Sequence, residues 1–217
     1  MKNMINHEPF WPDHPTVILA NGSYPTNDIP LEILNGHGYL CCCDRAGLTA
    51  IEHGLKPDAI VDDGDSMPLS GQQALSGIFH RVDEQEYNDL TKATRFVLAQ
   101  GRKQIVYLGA TGLREDHTIA NIALMATYRR KLGVEPIMAT DYGWFSVHEG
   151  NHVFKAFPGQ QVSIFSFGCH KLSSKGLKWD AYPYDTLWQG ALNEAVAPTF
   201  EIDADGLYII YQTYEAK

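Results

Sequence analysis

Long apolar runs, excess positive charge, paired-cysteine spacing and the common nucleotide fingerprints are all missing from this 217-residue chain. No apolar stretch approaches the ~20 residues that a membrane-spanning helix needs, so no membrane partner is expected. The opening MKNMINHEPFWPDHP has no apolar core of the kind a secretory signal carries. Basic residues number 17 against 26 acidic, a net charge of −9. That balance argues against a nucleic-acid surface, which would need a basic stripe. It leaves a nucleotide ligand open, because a bound cation reverses the local field. Neither G-x-x-x-x-G-K-[ST] nor G-x-G-x-x-G occurs. Of the four cysteines, Cys41, Cys42 and Cys43 are consecutive. Neighbours on a strand point to opposite faces, so the triplet cannot close around one tetrahedral metal. With Cys169 they read as small buried residues of a reduced, cytoplasmic protein. His7, His14, His37, His53, His80, His148, His152 and His170 show no ligand spacing.

What is present is a 44% hydrophobic complement, enough for a real core. Residues 1–15, with Pro9, Pro12 and Pro15, read as a flexible extension. Continuous apolar strands are expected at 16–20, 39–43, 57–61 and 104–108, with a last one at 135–140 and a short one near 80–83. Unbroken apolarity suits strands covered on both faces. Helical spacing appears at 46–51, from 83 to 100, and from about 117 to Gly133. Residues 21–38, with Pro25 and Pro30, read as a linker. The alternation predicts an α/β, Rossmann-like parallel sheet over 16–142. From 143 to 217 the texture changes to short β runs separated by turns, at 144–148, 152–154, 161–165, 200–202 and 206–211. That half is expected to be a small all-β sandwich or barrel.

Polar residues gather where the expected strands end. Val61-Asp62-Asp63-Gly64-Asp65-Ser66 places three carboxylates within four residues just after a buried strand. In an open α/β sheet ligands sit outside the carboxyl ends of the strands. Concentrated carboxylates suit Mg²⁺, which bridges one or two of them to phosphate. Asp44 ends the second strand, Asp89 and Lys92 share a helix face three residues apart, and Arg114 with Asp116 follows the Gly-rich turn 109–112. Such a turn entering a helix exposes N–H groups to phosphate, and Thr111 within it could face a nucleotide. Taken singly, each feature has a bland reading: a helix cap at Asp44, a surface ion pair at Asp89 and Lys92, a mutual pair at Arg114 and Asp116. Their convergence on one sheet edge favours phosphoryl or pyrophosphoryl transfer.

These segments, in order and spacing, resemble the thiamine pyrophosphokinase family over roughly residues 17–211. The family's G-D-x-D-S turn stands here as Asp62-Asp63-Gly64-Asp65-Ser66, its D-x-x-K as Asp89-Leu90-Thr91-Lys92, and its G-R-x-D-H as Leu113-Arg114-Glu115-Asp116-His117. Its D-G-G-A turn is matched by Asp44-Arg45-Ala46-Gly47, its G-L-K-W by Gly176-Leu177-Lys178-Trp179, and its S-N-E by Leu192-Asn193-Glu194. Asp62, Leu113 and Arg45 thus stand at glycine positions, and Leu192 at a serine position. The resemblance implies Mg²⁺-dependent transfer of pyrophosphate from ATP to thiamine, releasing AMP. It implies a catalytic and metal-binding set of Asp63, Asp65, Asp89 and Asp116. Lys92 and Arg114 would bind phosphate, Ser66 would contact phosphate or a metal-bound water, and Asp44 would lie toward the substrate. Thiamine would sit between the subunits of a homodimer, with Trp179 facing its cationic ring and Ser174 and Asn193 bonding its pyrimidine. The residues alone leave other readings open: a metal-dependent phosphohydrolase or nucleotidyltransferase on the same aspartates, a ligand sensor, and a core role for Trp179.

Overall fold

The computed structural model of the chain describes residues 11–64 and 69–216. In the first half, β1 (Thr16–Leu19) is followed by α1 (Asp28–Asn35), β2 (Tyr39–Cys43), α2 (Ala46–Glu52) and β3 (Ala59–Asp62). Then come α3 (Leu69–Ala74), β4 (Phe79–Arg81), α4 (Asp89–Ala99), β5 (Gln104–Leu108), α5 (Glu115–Thr127) and β6 (Glu135–Ala139). These strands lie side by side in the order β6-β5-β1-β2-β3-β4, each pair parallel. Strand order therefore reverses between β1 and β5, the switch point at which doubly wound sheets take ligands.

Period-two alternation sorts the strand residues into two layers. Ile18, Cys41, Cys43, Ala59, Val61, Ile105 and Tyr107 meet Leu90, Ala93 and Val97 of α4 and Met125 of α5. Val17, Leu19, Leu40, Cys42, Ile60, Val106 and Leu108 meet Ile33 and Leu34 of α1 and Ala46 and Ala50 of α2. Each fully buried aliphatic side chain of this kind stabilises the fold by roughly 1.5–3 kcal/mol. The cysteine triplet is split between the layers as the alternation requires, and Cys41, Cys42, Cys43 and Cys169 are all buried free thiols.

Several elements depart from the sequence expectation: α3 and the short strands at 172–175 and 193–194 have no counterpart in it, and two others differ. The 21–38 segment is not all linker: α1 forms because the Asn27 side chain accepts from the Ile29 N–H at 3.0 Å. Pro30 lies in its first turn, where the missing N–H costs nothing. Helix α4 begins at Asp89, not Asp83, because Asn88 caps it and residues 83–88 have no apolar face to bury.

The second half holds β7 (Gly143–Glu149), β8 (His152–Lys155), β9 (Gln160–Phe167), β10 (Leu172–Lys175), β11 (Asn193–Glu194), β12 (Thr199–Ala204) and β13 (Leu207–Ala216). A tight turn carries the chain from β6 into β7, with the Thr140 N–H donating to the Gly143 carbonyl at 2.8 Å. β7 then pairs antiparallel with β6, so the parallel sheet continues as β6-β7-β13-β9-β11. A second sheet, β10-β12-β8, packs on this extension. Val162, Ile164, Tyr208 and Ile210 face Phe154, Phe200 and Ile202 between the sheets. The half is a sandwich, one of whose sheets is an extension of the α/β sheet.

Candidate active site

Because β1, β2, β3 and β5 are parallel, Asn21, Asp44, Asp63 and the 109–116 loop all emerge on one edge of the sheet. At the switch point the β1 and β5 exits are stitched together. The Gly22 N–H donates to the Gly109 carbonyl at 2.7 Å and the Ser23 N–H to the Thr111 carbonyl at 2.9 Å. A Cβ on Gly22 would stand 2.4 Å from the Gly109 carbonyl oxygen, so only glycine permits the approach. Asn21 Nδ2 donates to Asp44 Oδ2 at 3.2 Å, linking this crevice to the β2 exit. Asp44 itself has φ 52, a left-handed conformation that aspartate tolerates better than most residues.

The β3 exit and the start of α4 form the charged centre. Lys92 is buried, its side chain only 3% exposed, yet its Nζ lies 3.3 Å from Asp63 Oδ2 and 3.4 Å from Asp89 Oδ1. Burial works to lower the Lys92 pKa, but the two carboxylates outweigh it and the net shift is upward. Lys92 therefore stays an ammonium and holds Asp63 and Asp89 together against their mutual repulsion. Asp62, buried at the end of β3, accepts from the Gly64 N–H and shapes the turn that presents Asp63. The cap residue Asn88 accepts from the Thr91 N–H at 3.0 Å and donates to Asn121 Oδ1 at 3.1 Å. Asn121 in turn donates to the Ala110 carbonyl at 2.8 Å, tying α4 to α5 and to the β5 exit.

Arg114 and Asp116 form a two-pronged pair at the start of α5, at 3.1 Å and 2.6 Å. Both are exposed. The Arg114 guanidinium holds the Asp116 carboxyl below its ordinary pKa. The bland reading of this pair, a mutual bond on an exposed turn, is what the structure contains. Leu113 just before it has φ 63 and is 75% exposed. Thr111 is half-buried and contributes its carbonyl to the crevice. Asp65 and Ser66 lie outside the described residues. Among the described residues no three His, Cys, Asp or Glu side chains stand close enough to hold a metal ion.

In the sandwich, Trp179 is 55% exposed, so the core role is excluded. Asn193 grips its backbone from both sides, accepting from the Trp179 N–H at 3.2 Å and donating to its carbonyl at 2.7 Å. Ser174 Oγ accepts from the Ala181 N–H at 2.9 Å. The two residues thus shape the loop that presents Trp179. Tyr182, Leu187, Trp188 and Leu192 are also exposed there. Sequence reasoning did not single out Asn21, Arg81, Gln85, Asn88 or Asn121. Asn88 carried a signal, as a capping residue directly before an acidic first turn; the others are brought in by long-range contacts.

Such a fold, a doubly wound sheet with charged groups at its switch edge and a β-sandwich built onto it, defines a class of two-domain α/β enzymes. Residues 31–135 match the model of the thiamin pyrophosphokinase catalytic domain, and residues 143–211 match that of the thiamin pyrophosphokinase substrate-binding domain. The chain belongs to the thiamin pyrophosphokinase family. Among solved structures, the thiamine pyrophosphokinase of Bacillus subtilis is 19% identical with a TM-score of 0.74, covering 91% of this chain and 98% of that one. The enzyme from Candida albicans is 16% identical with a TM-score of 0.74, covering 93% and 90%. The yeast enzyme is 15% identical with a TM-score of 0.75, covering 93% and 87%. At these identities the likeness concerns the fold. No curated protein sequence matches the chain.

Proposed function

We propose that this enzyme transfers pyrophosphate from ATP to the hydroxyl of thiamine, giving thiamine diphosphate and AMP, with Mg²⁺ as its metal. The observation that carries the reading is the Asp63–Lys92–Asp89 arrangement at the switch edge of a family fold. Two hard carboxylates already gathered around one cation suit Mg²⁺, which needs only one or two such ligands besides waters and phosphate. Asp63 and Asp89 would hold the ion with Asp65 and Asp116. When bound, the ion neutralises phosphate charge and aligns the transferred group.

The remaining roles follow from residue chemistry. Arg114 has a planar fork suited to phosphate oxygens; exchanging Asp116 for phosphate would free that carboxylate for the metal. Ser66 and Thr111 would contact phosphate, and Asp44 would lie toward the thiamine end. The thiamine hydroxyl forms a bond to the β-phosphorus while the bond from β-phosphorus to the α-phosphate oxygen breaks. A hydroxyl has a high pKa, so a carboxylate accepts its proton late in the step. Residues 16–142 carry ATP and metal, and residues 143–217 carry thiamine and the dimer contact. The exposed Trp179 supplies a face for the thiazolium cation, and Ser174 and Asn193 support that wall. The neighbouring exposed Tyr182, Leu187 and Trp188 support a homodimer, since exposed apolar groups of this size mark an interface. The four free buried thiols are in keeping with a cytoplasmic enzyme. Incubation with ATP and Mg²⁺, with and without thiamine, tests the proposal. AMP and thiamine diphosphate appearing in equal amounts only when thiamine is present is the expected result. ADP or phosphate made regardless of thiamine would overturn it.

A further inference from the structure

We propose that Arg81 binds the diphosphate group being transferred, a role that rests on the pyrophosphokinase reading and adds a residue to it. Arg81 ends β4, the edge strand, in parallel register with Asp62 at the end of β3. Both strands therefore deliver their last side chains to the same edge. The guanidinium lies flat against the acidic turn: a Cβ built on Gly64 would be 3.2 Å from its Cζ and Nη1. Gly64, at φ 92, provides both the turn and the space. Asp63 is reached from the same loop by Gln85 Nε2, at 3.4 Å. One cation thus lies against the turn that presents the carboxylate proposed to hold the metal, and one amide reaches that carboxylate.

Lys92, Arg114 and Arg81, three cations of this edge, are not equivalent. Lys92 is almost wholly buried and held between two carboxylates. Arg114 spends both prongs on Asp116. Among the described residues Arg81 bonds through Nε alone, to Asp83 Oδ1 at 2.5 Å, and its side chain is 55% exposed. No described residue takes a hydrogen bond from its two Nη groups, which face a ligand in this reading, and Asp83 sets the plane of the fork. A planar fork of donors matches paired phosphate oxygens, which a lysine cannot reproduce. Because AMP is the part that leaves, the phosphates nearest the metal carboxylates are the two that move, and Arg81 is aimed at these.

Calorimetric titration of the full chain with Mg²⁺ tests this, using the uncleavable α,β-methylene analogue of ATP and, separately, AMP. Arg81→Gln should weaken the analogue roughly 10- to 100-fold, the usual worth of hydrogen bonds to charged groups. AMP affinity should change by less than about twofold, and Arg81→Lys should recover only part of the loss because it lacks the fork. Unchanged analogue affinity, or equal losses for analogue and AMP, would overturn the assignment and leave Arg81 a structural counter-charge. Should Arg81→Gln fail to fold, Arg81→Lys carries the same comparison. Wild-type turnover with thiamine is assayed in parallel. If the wild type binds the analogue but makes no thiamine diphosphate, the functional reading fails while the Arg81 comparison still stands.

Discussion

Lys92 shows how much a single side chain organises at this edge. Its ammonium lies between Asp63 and Asp89 and is nearly removed from solvent. Removing one partner of such a group leaves the others uncompensated. Lys92→Met, similar in shape but uncharged, should lower stability by about 1–3 kcal/mol in metal-free buffer, and millimolar Mg²⁺ should restore part of it. Thermal melts with and without Mg²⁺ check this; a melting temperature equal to wild type in chelator would show that the ammonium holds nothing together. Leu113 makes the opposite case. It holds a left-handed backbone, which costs a residue with a Cβ about 1–2 kcal/mol, and its exposed side chain recovers little by packing. Leu113→Gly should therefore gain up to about 1 kcal/mol after the glycine's own entropy is counted. A destabilised Leu113→Gly would mean that the leucine makes contacts worth more than the strain.

Helix α4 is the element on which the charged centre depends. It carries Asp89 and Lys92, and its N-terminus is fixed by Asn88, which also reaches across to Asn121 of α5. Deeper in the helix, Thr91 and Thr94 turn toward the core. They bond Tyr128 at 2.7 Å and Tyr107 at 3.0 Å, so the buried hydroxyls are satisfied. Asn88→Ala removes the cap and the cross-link together. A loss of about 1–2 kcal/mol is expected, read as a fall in Tm of roughly 2–8 °C, together with reduced turnover. Asn88→Ser, which can still cap, should keep more of the stability than of the α4–α5 link. Equal Tm for Asn88→Ala and wild type would remove Asn88 from this role.

At the scale of the whole molecule, the sandwich half contains an acid-sensitive group. His148 on β7 packs edge-on against Phe154 and near His152, and its Nε2 lies 2.8 Å from Ser146 Oγ. Burial, reinforced by His152 and Arg129, pushes its pKa down to about 4. The unfolded chain, with a histidine pKa near 6.5, then binds the proton that the folded chain refuses. Stability should be unaffected above about pH 6.5 and fall progressively toward pH 4. The total from this group is roughly 3 kcal/mol, from a difference of about 2.5 pKa units. Denaturant midpoints across that range check it: His148→Gln should flatten the slope, and an unchanged slope would place the acid sensitivity elsewhere.

The sequence by itself determined the strands of the first half and most of those of the second. Continuous apolar runs at β1, β2, β3 and β5 required burial on both faces, and the polar residue after each run had nowhere to lie but the sheet edge. It also carried the motif residues Asp63, Asp89, Lys92, Arg114 and Asp116. Tertiary structure decided how these residues pair. Nothing local says that Lys92 reaches Asp63, that Arg81 folds over Gly64, or that Asn193 grips the Trp179 backbone; these contacts join residues 14 to 29 positions apart in the chain. Helix α1 was obscured because Pro25 and Pro30 resemble linker residues until the Asn27 cap is seen. The continuous sheet was equally hidden, since it is the antiparallel pairing of β6 with β7 that carries the sheet from one half into the other. Local patterning specifies which residues must be buried; which charges meet depends on strand order, and that is settled only when the sheet assembles.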